Sequence, residues 1–306
     1  MSKFIHLHNH TDFSLLDAMT TTSELVESAV EFEQPGVALT DNGVLYGVFN
    51  FQQKATRAGI KPLIGVDAYI APGSRFEKSP NQRRYHRLVL LAKHKQGYKN
   101  LVKLCSRAFV EGFYYKPRID MELLKEYSEG LICLSGGRGG EVARSIVNSN
   151  YNEAVDVAKS YHEVFGDDFY MQVQNHSLQF DDKVCEEVPK IARELGVKTV
   201  ATNDTFYKVK EHAVAHNVHL FIKDGGKNEV DVTNLRFGSD EFYIKSPQEM
   251  EKLFADNQEA IESTNEIFEK CDIDFKSKIY MPKFPIPETS PSENLEEYLK
   301  ELVYKG

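Results

Sequence analysis

Cysteine is scarce in this sequence of 306 residues: Cys105, Cys133, Cys185 and Cys271 lie far apart, with no Cys-x-x-Cys spacing among them. That scarcity offers neither a zinc ribbon nor a disulfide frame and reads as a reduced, cytoplasmic chain. Long apolar runs are missing too. No stretch approaches the roughly 18 consecutive apolar residues of a membrane span, and the N-terminus has neither a secretory apolar region nor an Arg-rich amphipathic pattern. Neither membrane insertion nor secretion is expected. A basic excess is the third absence. Lys and Arg number 37 against 46 Asp and Glu, a net charge of −9, which argues against a protein whose whole surface binds nucleic acid but leaves room for a local basic stripe. With 41% hydrophobic and 27% charged residues, the chain is globular in composition and can bury one large core or two small ones.

What is present gathers first at the start of the chain. Phe4-Ile5-His6-Leu7-His8-Asn9-His10 places three histidines at a period of two, so a straight strand would carry His6, His8 and His10 on one face. Three imidazoles with a carboxylate nearby, Asp12 or Asp17, make a donor set suited to zinc and its neighbours. Clustered histidines also occur as surface groups or satisfied core groups, and both readings stand at this point.

Farther on, short apolar runs alternate with helical patterns. Thr21-Thr22-Ser23-Glu24 has the form of a capping box ahead of a helix through Leu25, Val26, Ala29 and Val30. Gly36–Thr40, Pro62–Ile70, Leu88–Ala92, Leu131–Ser135 and Thr199–Thr202 read as strands, with helical stretches between most of them. Near-continuous apolar strands alternating with helices predict parallel pairing buried on both faces, and their number favours a closed α/β barrel over an open sheet. In such barrels the chemistry sits at the strand ends. Those ends carry His8, His10 and Asp17, then Asp41 and Asn42, then Asp67, His86, a Gly136–Gly140 loop, and Asn203-Asp204.

The runs HLHNHTDFSLLDA, ALTDNGVLYG, KPLIGVDAYIAPGSRF, LLAK, EGFYYKPRID, GDDFY and VATND, in consistent order over residues 3 to 275, resemble the polymerase and histidinol phosphatase (PHP) domain that opens the alpha subunit of bacterial DNA polymerase III. The resemblance implies a distorted seven-fold (β/α) barrel of the PHP type, TIM-like, whose strand ends gather up to three metal ions. Members with an intact site act as phosphoesterases that remove mispaired 3′ nucleotides. Carried over residue by residue, the histidine pair matches His8 and His10, the following aspartate Asp17, the fourth-strand histidine His86 and the late aspartate Asp204. Four positions depart from the pattern. Asn42 and Phe206 stand where histidines are usual, Gly137 where a cysteine is, and Asp67 where a glutamate is; the aspartate is shorter by about 1.5 Å.

By the same resemblance, one metal would use His8, His10, Asp67 and Asp204, a second Asp67, His86 and the lost cysteine, and a third Asp17 and the two lost histidines. Catalytic sites of this kind need about three protein ligands, so the first set is a residual site, while Asp17 and His86 are remnants of incomplete ones. The cofactor expectation is at most one divalent metal, zinc or manganese, or none.

Other features carry weaker signals. The loop Gly136–Gly140 lacks the Lys-Ser/Thr of a phosphate-binding loop and true GxGxxG spacing. Asp272-Ile273-Asp274 resembles the paired carboxylates of a two-metal polymerase but has no partner motif, so a polar helix end is the plainer reading. Lys78, Arg83, Arg84 and Arg87, with Tyr85 between them, offer a weak nucleic-acid contact, equally a solvated loop. His212, His216 and His219 have helical spacing without a helping carboxylate and read as helix surface or core. Ser246-Pro247-Gln248-Glu249 opens a further pair of helices. Beyond them Pro282, Pro285, Pro287 and Pro291 read as an extended linker before one amphipathic piece, Leu295 to Val303. The expected organisation is a PHP domain over 1–280, then a Pro-rich linker and the start of a truncated polymerase region over 281–306. The function expected is a structural and partner-binding platform of a replicative polymerase with a degenerate metal site, without the polymerase active centre. The alternative is an active metal-dependent phosphoesterase, either a 3′–5′ proofreading exonuclease or a histidinol-phosphatase-like hydrolase. The partners expected are the remainder of the polymerase chain, other replisome subunits, and DNA through the full-length protein, with no membrane.

Overall fold

The computed structural model describes residues 4–80, 84–225, 234–273, 275, 281–282 and 284–306. In chain order it runs α1 (Thr22–Glu31), β1 (Gly36–Leu39), α2 (Val48–Arg57), β2 (Lys61–Ile70), β3 (His86–Ala92), α3 (Lys95–Val110), β4 (Arg118–Ile119), α4 (Met121–Tyr127) and β5 (Leu131–Leu134). There follow α5 (Glu141–Val147), α6 (Tyr151–Phe165), β6 (Phe169–Val173), α7 (Asp181–Leu195), β7 (Lys198–Ala201), α8 (Ala213–Lys223), α9 (Pro247–Leu253), α10 (Gln258–Lys270) and α11 (Leu295–Lys305). Both capping boxes form. Thr21 and Glu24 satisfy each other's amides at the start of α1, and Ser246 and Glu249 do so at α9, where Pro247 occupies a first-turn position that needs no intrahelical donor. Residues Met1–Asp274 make one compact unit and Phe275–Gly306 another. Within the second, α11 starts on an Asn294 cap, and Phe284 stacks on Tyr298 at 5.8 Å.

The strands lie in the order β1-β2-β3-β5-β6-β7, with β4 beside β2. The pairs β1–β2, β5–β6 and β6–β7 are parallel. β3 is antiparallel to both neighbours, which corrects the expectation of parallel pairing throughout. A parallel neighbour needs a crossover of a dozen or so residues, usually a helix, and no α-helix stands between β2 and β3 among the described residues. The reversal matters for the site. The start of β3, rather than its end, lies beside the C-terminal ends of the parallel strands.

Residues 4–10 close the ring without forming a regular strand. The Ala38 amide donates to the His6 carbonyl and the Thr40 amide to that of Asn9, while on the other side Thr205 donates to His8 and receives the His10 amide. The buried Asn9 side chain ties both flanks, donating to the Ala38 carbonyl at 2.9 Å and accepting from the Thr205 hydroxyl at 2.9 Å. Inside the ring pack Ile5, Leu7, Ala38, Leu63, Val89, Leu91, Ile132, Leu134, Tyr170 and Val200. Val66, Ala68, Leu88 and Leu90, one position out of phase, face the helices with Leu101, Leu104 and their neighbours. α10 covers the N-terminal ends of the parallel strands, where Phe268 abuts Gly36 and accepts from Lys61 through its carbonyl oxygen at 2.8 Å. The opposite end is left open as the mouth.

Asn9→Ala would leave the Ala38 carbonyl and the Thr205 hydroxyl without these buried partners, a loss of about 2 kcal/mol at the ring closure. Chemical denaturation should show that loss, and an unchanged midpoint would mean that the closure does not depend on Asn9.

Candidate metal centre

The site assembles where four separate segments end at the mouth: residues 8–10, late β2, the start of β3, and the turn after β7. Leu7 belongs to the ring interior and so does His8's side chain, so the alternation slips by one residue between them, as it does at strand irregularities. His6 is left on the other side, where its Nε2 meets the Lys245 carbonyl at 2.7 Å and its ring packs edge-on against Phe4. Three histidines on one face become two.

His8 and His10 converge with Asp67 and Asp204. His8 Nε2 lies 3.0 Å from Asp67 Oδ2 and 3.4 Å from Asp204 Oδ1, and His10 Nε2 lies 2.8 Å from Asp204 Oδ1 and 3.6 Å from Asp67 Oδ2. One donor atom from each residue falls within 4.8 Å of every other. Asp204 reaches in from a left-handed backbone conformation, φ +51°, which aspartate tolerates better than most residues. Burial alone would raise the Asp67 carboxyl, but the Arg87 charge and the His8 hydrogen bond hold it down at about 2. Burial likewise works against Asp204, and the two imidazoles outweigh it, keeping that carboxyl below the usual range.

In kind and spacing, these four side chains are compatible with one divalent ion. Their hydrogen bonds suit a centre without one. Gln172 and Gln174 each point an amide nitrogen at His8 Nδ1, at 2.9 and 3.1 Å. Neither amide is free to turn round, because Gln172 Oε1 accepts the Gly136 amide and Gln174 Oε1 accepts the Arg138 amide. His8 Nδ1 is therefore an acceptor, and the ring proton sits on Nε2, 3.0 Å from Asp67 Oδ2 and 3.4 Å from Asp204 Oδ1. Nε2 is also the atom facing the cluster. A histidine that ligates through one nitrogen ordinarily donates from the other to a carboxylate, carbonyl or water, and here the other nitrogen meets two donors.

The remaining positions do not join the cluster. His86 turns out of the ring: in β3 the inward residues are Arg87, Val89 and Leu91, and a shift of one residue reverses the face. Its Nδ1 is buried without a partner, and burial together with nearby Arg144 presses its pKa down to about 4. The inward place in β3 thus belongs to Arg87, while His86, expected as the remnant of an incomplete site, stands outside the cluster, and Arg87, one of the weak nucleic-acid candidates, turns to Asp67. Arg84 is exposed, and Arg83 lies outside the described residues. Gly137 has φ +50°, and a Cβ there would come within 2.0 Å of Gln174 Oε1, so the place of the lost cysteine is occupied. Phe206 stacks on His10 at 4.5 Å and packs against Phe237 and Phe242, an apolar filling where a third ion would need an imidazole. Asn42 donates to Asp17 at 3.4 Å, and Lys223 pairs with the same carboxylate.

His216 packs beneath Phe206 and meets the Asp17 carbonyl, a core role as expected. Asp272 sits past α10, its amide bonded to the Lys93 carbonyl at the far end of the ring, and Asp274 lies outside the described residues. Gln172, Gln174 and Lys223 went unread in the sequence. The glutamines had a signal: in Phe169-Tyr170-Met171-Gln172-Val173-Gln174 polar residues two apart interrupt an apolar strand on one face.

The PHP domain family matches residues 6–176. The alpha subunit of DNA polymerase III from Borreliella burgdorferi is 44% identical over 100% of this chain and 27% of its own length, and that from Thermus aquaticus is 41% identical over 99% and 26%. The chain spans about a quarter of these relatives. Among solved structures, an amidohydrolase from Chromobacterium violaceum is similar over 66% of this chain and 87% of its own, at 15% identity and a TM-score of 0.46.

His86→Leu replaces an unpartnered buried nitrogen with carbon, so stability should stay within about 1 kcal/mol of the parent or rise. A loss beyond about 2 kcal/mol in urea unfolding would mean that His86 makes a polar contact at the site after all.

Proposed function

The chain belongs to the PHP domain family, and from that membership we propose that it is the PHP region of a replicative DNA polymerase alpha subunit, serving as a structural and partner-binding platform with a degenerate metal centre. One observation carries the reading. Of the three ligand sets the family resemblance implies, only His8, His10, Asp67 and Asp204 come together, and around them the chain's own cations, amides and an aromatic ring line the cavity at the mouth. A phosphoesterase of this type uses two or three ions to hold the scissile phosphate and generate a nucleophile. This centre offers a place for at most one, zinc or manganese, with Asp17 unable to complete another.

The domain's role is then mechanical. Residues 1–280 form the PHP unit, 281–306 a Pro-rich linker and the beginning of the polymerase region, and partners are the rest of that chain, other replisome subunits, and DNA bound by the whole protein. A second reading, an active 3′–5′ exonuclease, draws on the closeness of the same four side chains.

Elemental analysis and hydrolysis of 3′-mispaired DNA separate the two. The platform reading expects no more than one equivalent of metal and no release of the mispaired nucleotide with added Zn²⁺ or Mn²⁺. Hydrolysis that disappears in His8→Ala would establish the exonuclease instead.

A further inference from the structure

We propose that Arg87 and Lys223 are the resident cations of this barrel mouth, each taking over the charge and bridging contacts of a divalent ion at a carboxylate shared with an incomplete ligand set, and that Arg87 thereby keeps metal off Asp67. The inference rests on the degenerate-site reading and says what replaced the ions.

Arg87 meets Asp67 with two nitrogens of its guanidinium, one to each carboxylate oxygen. Nε donates to Oδ1 at 2.9 Å, and Nη2 donates to Oδ2 and also to Asn42 Oδ1. It therefore bridges β2 to the turn after β1, as a shared ion would. Asp67 Oδ2, the oxygen nearest His8, is the atom a metal would need. The guanidinium also lies over the Tyr69 ring at 4.5 Å, an arrangement that a planar, weakly hydrated cation favours and an ammonium matches poorly.

The glycine-rich loop accounts for how such a side chain fits. A Cβ on Gly139 would sit 2.5 Å from Arg87 Cγ, and one on Gly136, at φ +82°, would lie 1.9 Å from the Arg87 carbonyl oxygen. The loop that lacks the marks of a phosphate cradle is a sleeve for the stem and backbone of Arg87. Lys223, the last residue of α8, does the corresponding work at Asp17, whose other oxygen receives Asn42 Nδ2 at 3.4 Å and lies 4.0 Å from Lys116. Being a third exposed, it is the lesser of the two.

The test compares the purified protein with Arg87→Met, Arg87→Lys, Gly139→Ala and Lys223→Met, each stripped with chelator and then titrated with Zn²⁺ or Mn²⁺ alone. Bound metal and melting temperature are measured at each step. The parent is expected to melt at the same temperature with and without ions and to retain little metal after desalting. Arg87→Met should melt roughly 5 °C lower in chelator, then recover and retain about one equivalent when ions are added. Gly139→Ala, which displaces Arg87 without removing its charge, should shift the same way. Arg87→Lys should fall between parent and Met, and Lys223→Met should lose less than Arg87→Met.

If Arg87→Met folds only when Zn²⁺ is supplied, that is the same result in stronger form; if it does not fold at all, Gly139→Ala and the parent's own chelator competition decide. A parent that takes up zinc as tightly as the variants overturns the proposal, as does an Arg87→Met protein that melts like the parent. Such a parent, filled with metal yet inert towards mispaired DNA, would sink this inference alone; one that hydrolyses the DNA would sink the platform reading as well.

Discussion

The mouth of this barrel depends on how one buried carboxylate is compensated. Asp67 is almost fully removed from water, and an ionised carboxylate there is tolerable only with a cation and hydrogen bonds aimed at it. A metal ion is one solution and a guanidinium is another. They place different demands on the neighbours: an ion needs lone pairs turned inward, whereas Arg87 supplies protons and needs acceptors. Asn42, Asp67 and the face of Tyr69 are what a guanidinium needs. The amide donors on His8 Nδ1 belong to the same solution, since they leave Nε2 to give a proton to the carboxylates rather than an electron pair to a metal.

Topology makes this possible. Because β3 runs against its neighbours, its first residues stand at the open end of the ring, and a long side chain at position 87 reaches Asp67 across the β2–β3 ladder. In a uniformly parallel barrel, the start of that strand would lie at the end covered by α10. The ring closure by residues 4–10 completes the arrangement from the other side, since the slip that turns His8 and His10 inward adjoins Asn9, whose side chain binds the Ala38 carbonyl and the Thr205 hydroxyl on the two flanks.

Much of this was legible in the sequence. The two capping boxes, the apolar strands near 36–40, 62–70, 131–135 and 199–202, and the meeting of His8, His10, Asp67 and Asp204 all follow from local patterns or from the family resemblance, and the structure brings each into place. What was not legible turns on register and direction. His86 and Arg87 are adjacent, and only the pairing of β3 with β2 decides which one faces the ring. The direction of β3 goes with a connection that has no crossover helix among the described residues, which no periodicity inside the strand reveals. His6 shares the spacing of His8 and His10, and the slip at Leu7 that separates them is a tertiary event. Lys223 lies 206 residues from Asp17, a distance over which charge patterning carries no signal.

The central claim, that the centre is built around its own protons and cations, is tested most directly at the ring of His8. Ring-nitrogen chemical shifts measured by NMR on isotope-labelled protein report which nitrogen carries hydrogen and whether either binds metal. The account predicts a proton on Nε2, an acceptor at Nδ1, and shifts that do not change between chelator and added Zn²⁺. A proton on Nδ1, with Nε2 deprotonated and moving as zinc is added, would show a working metal ligand and contradict it.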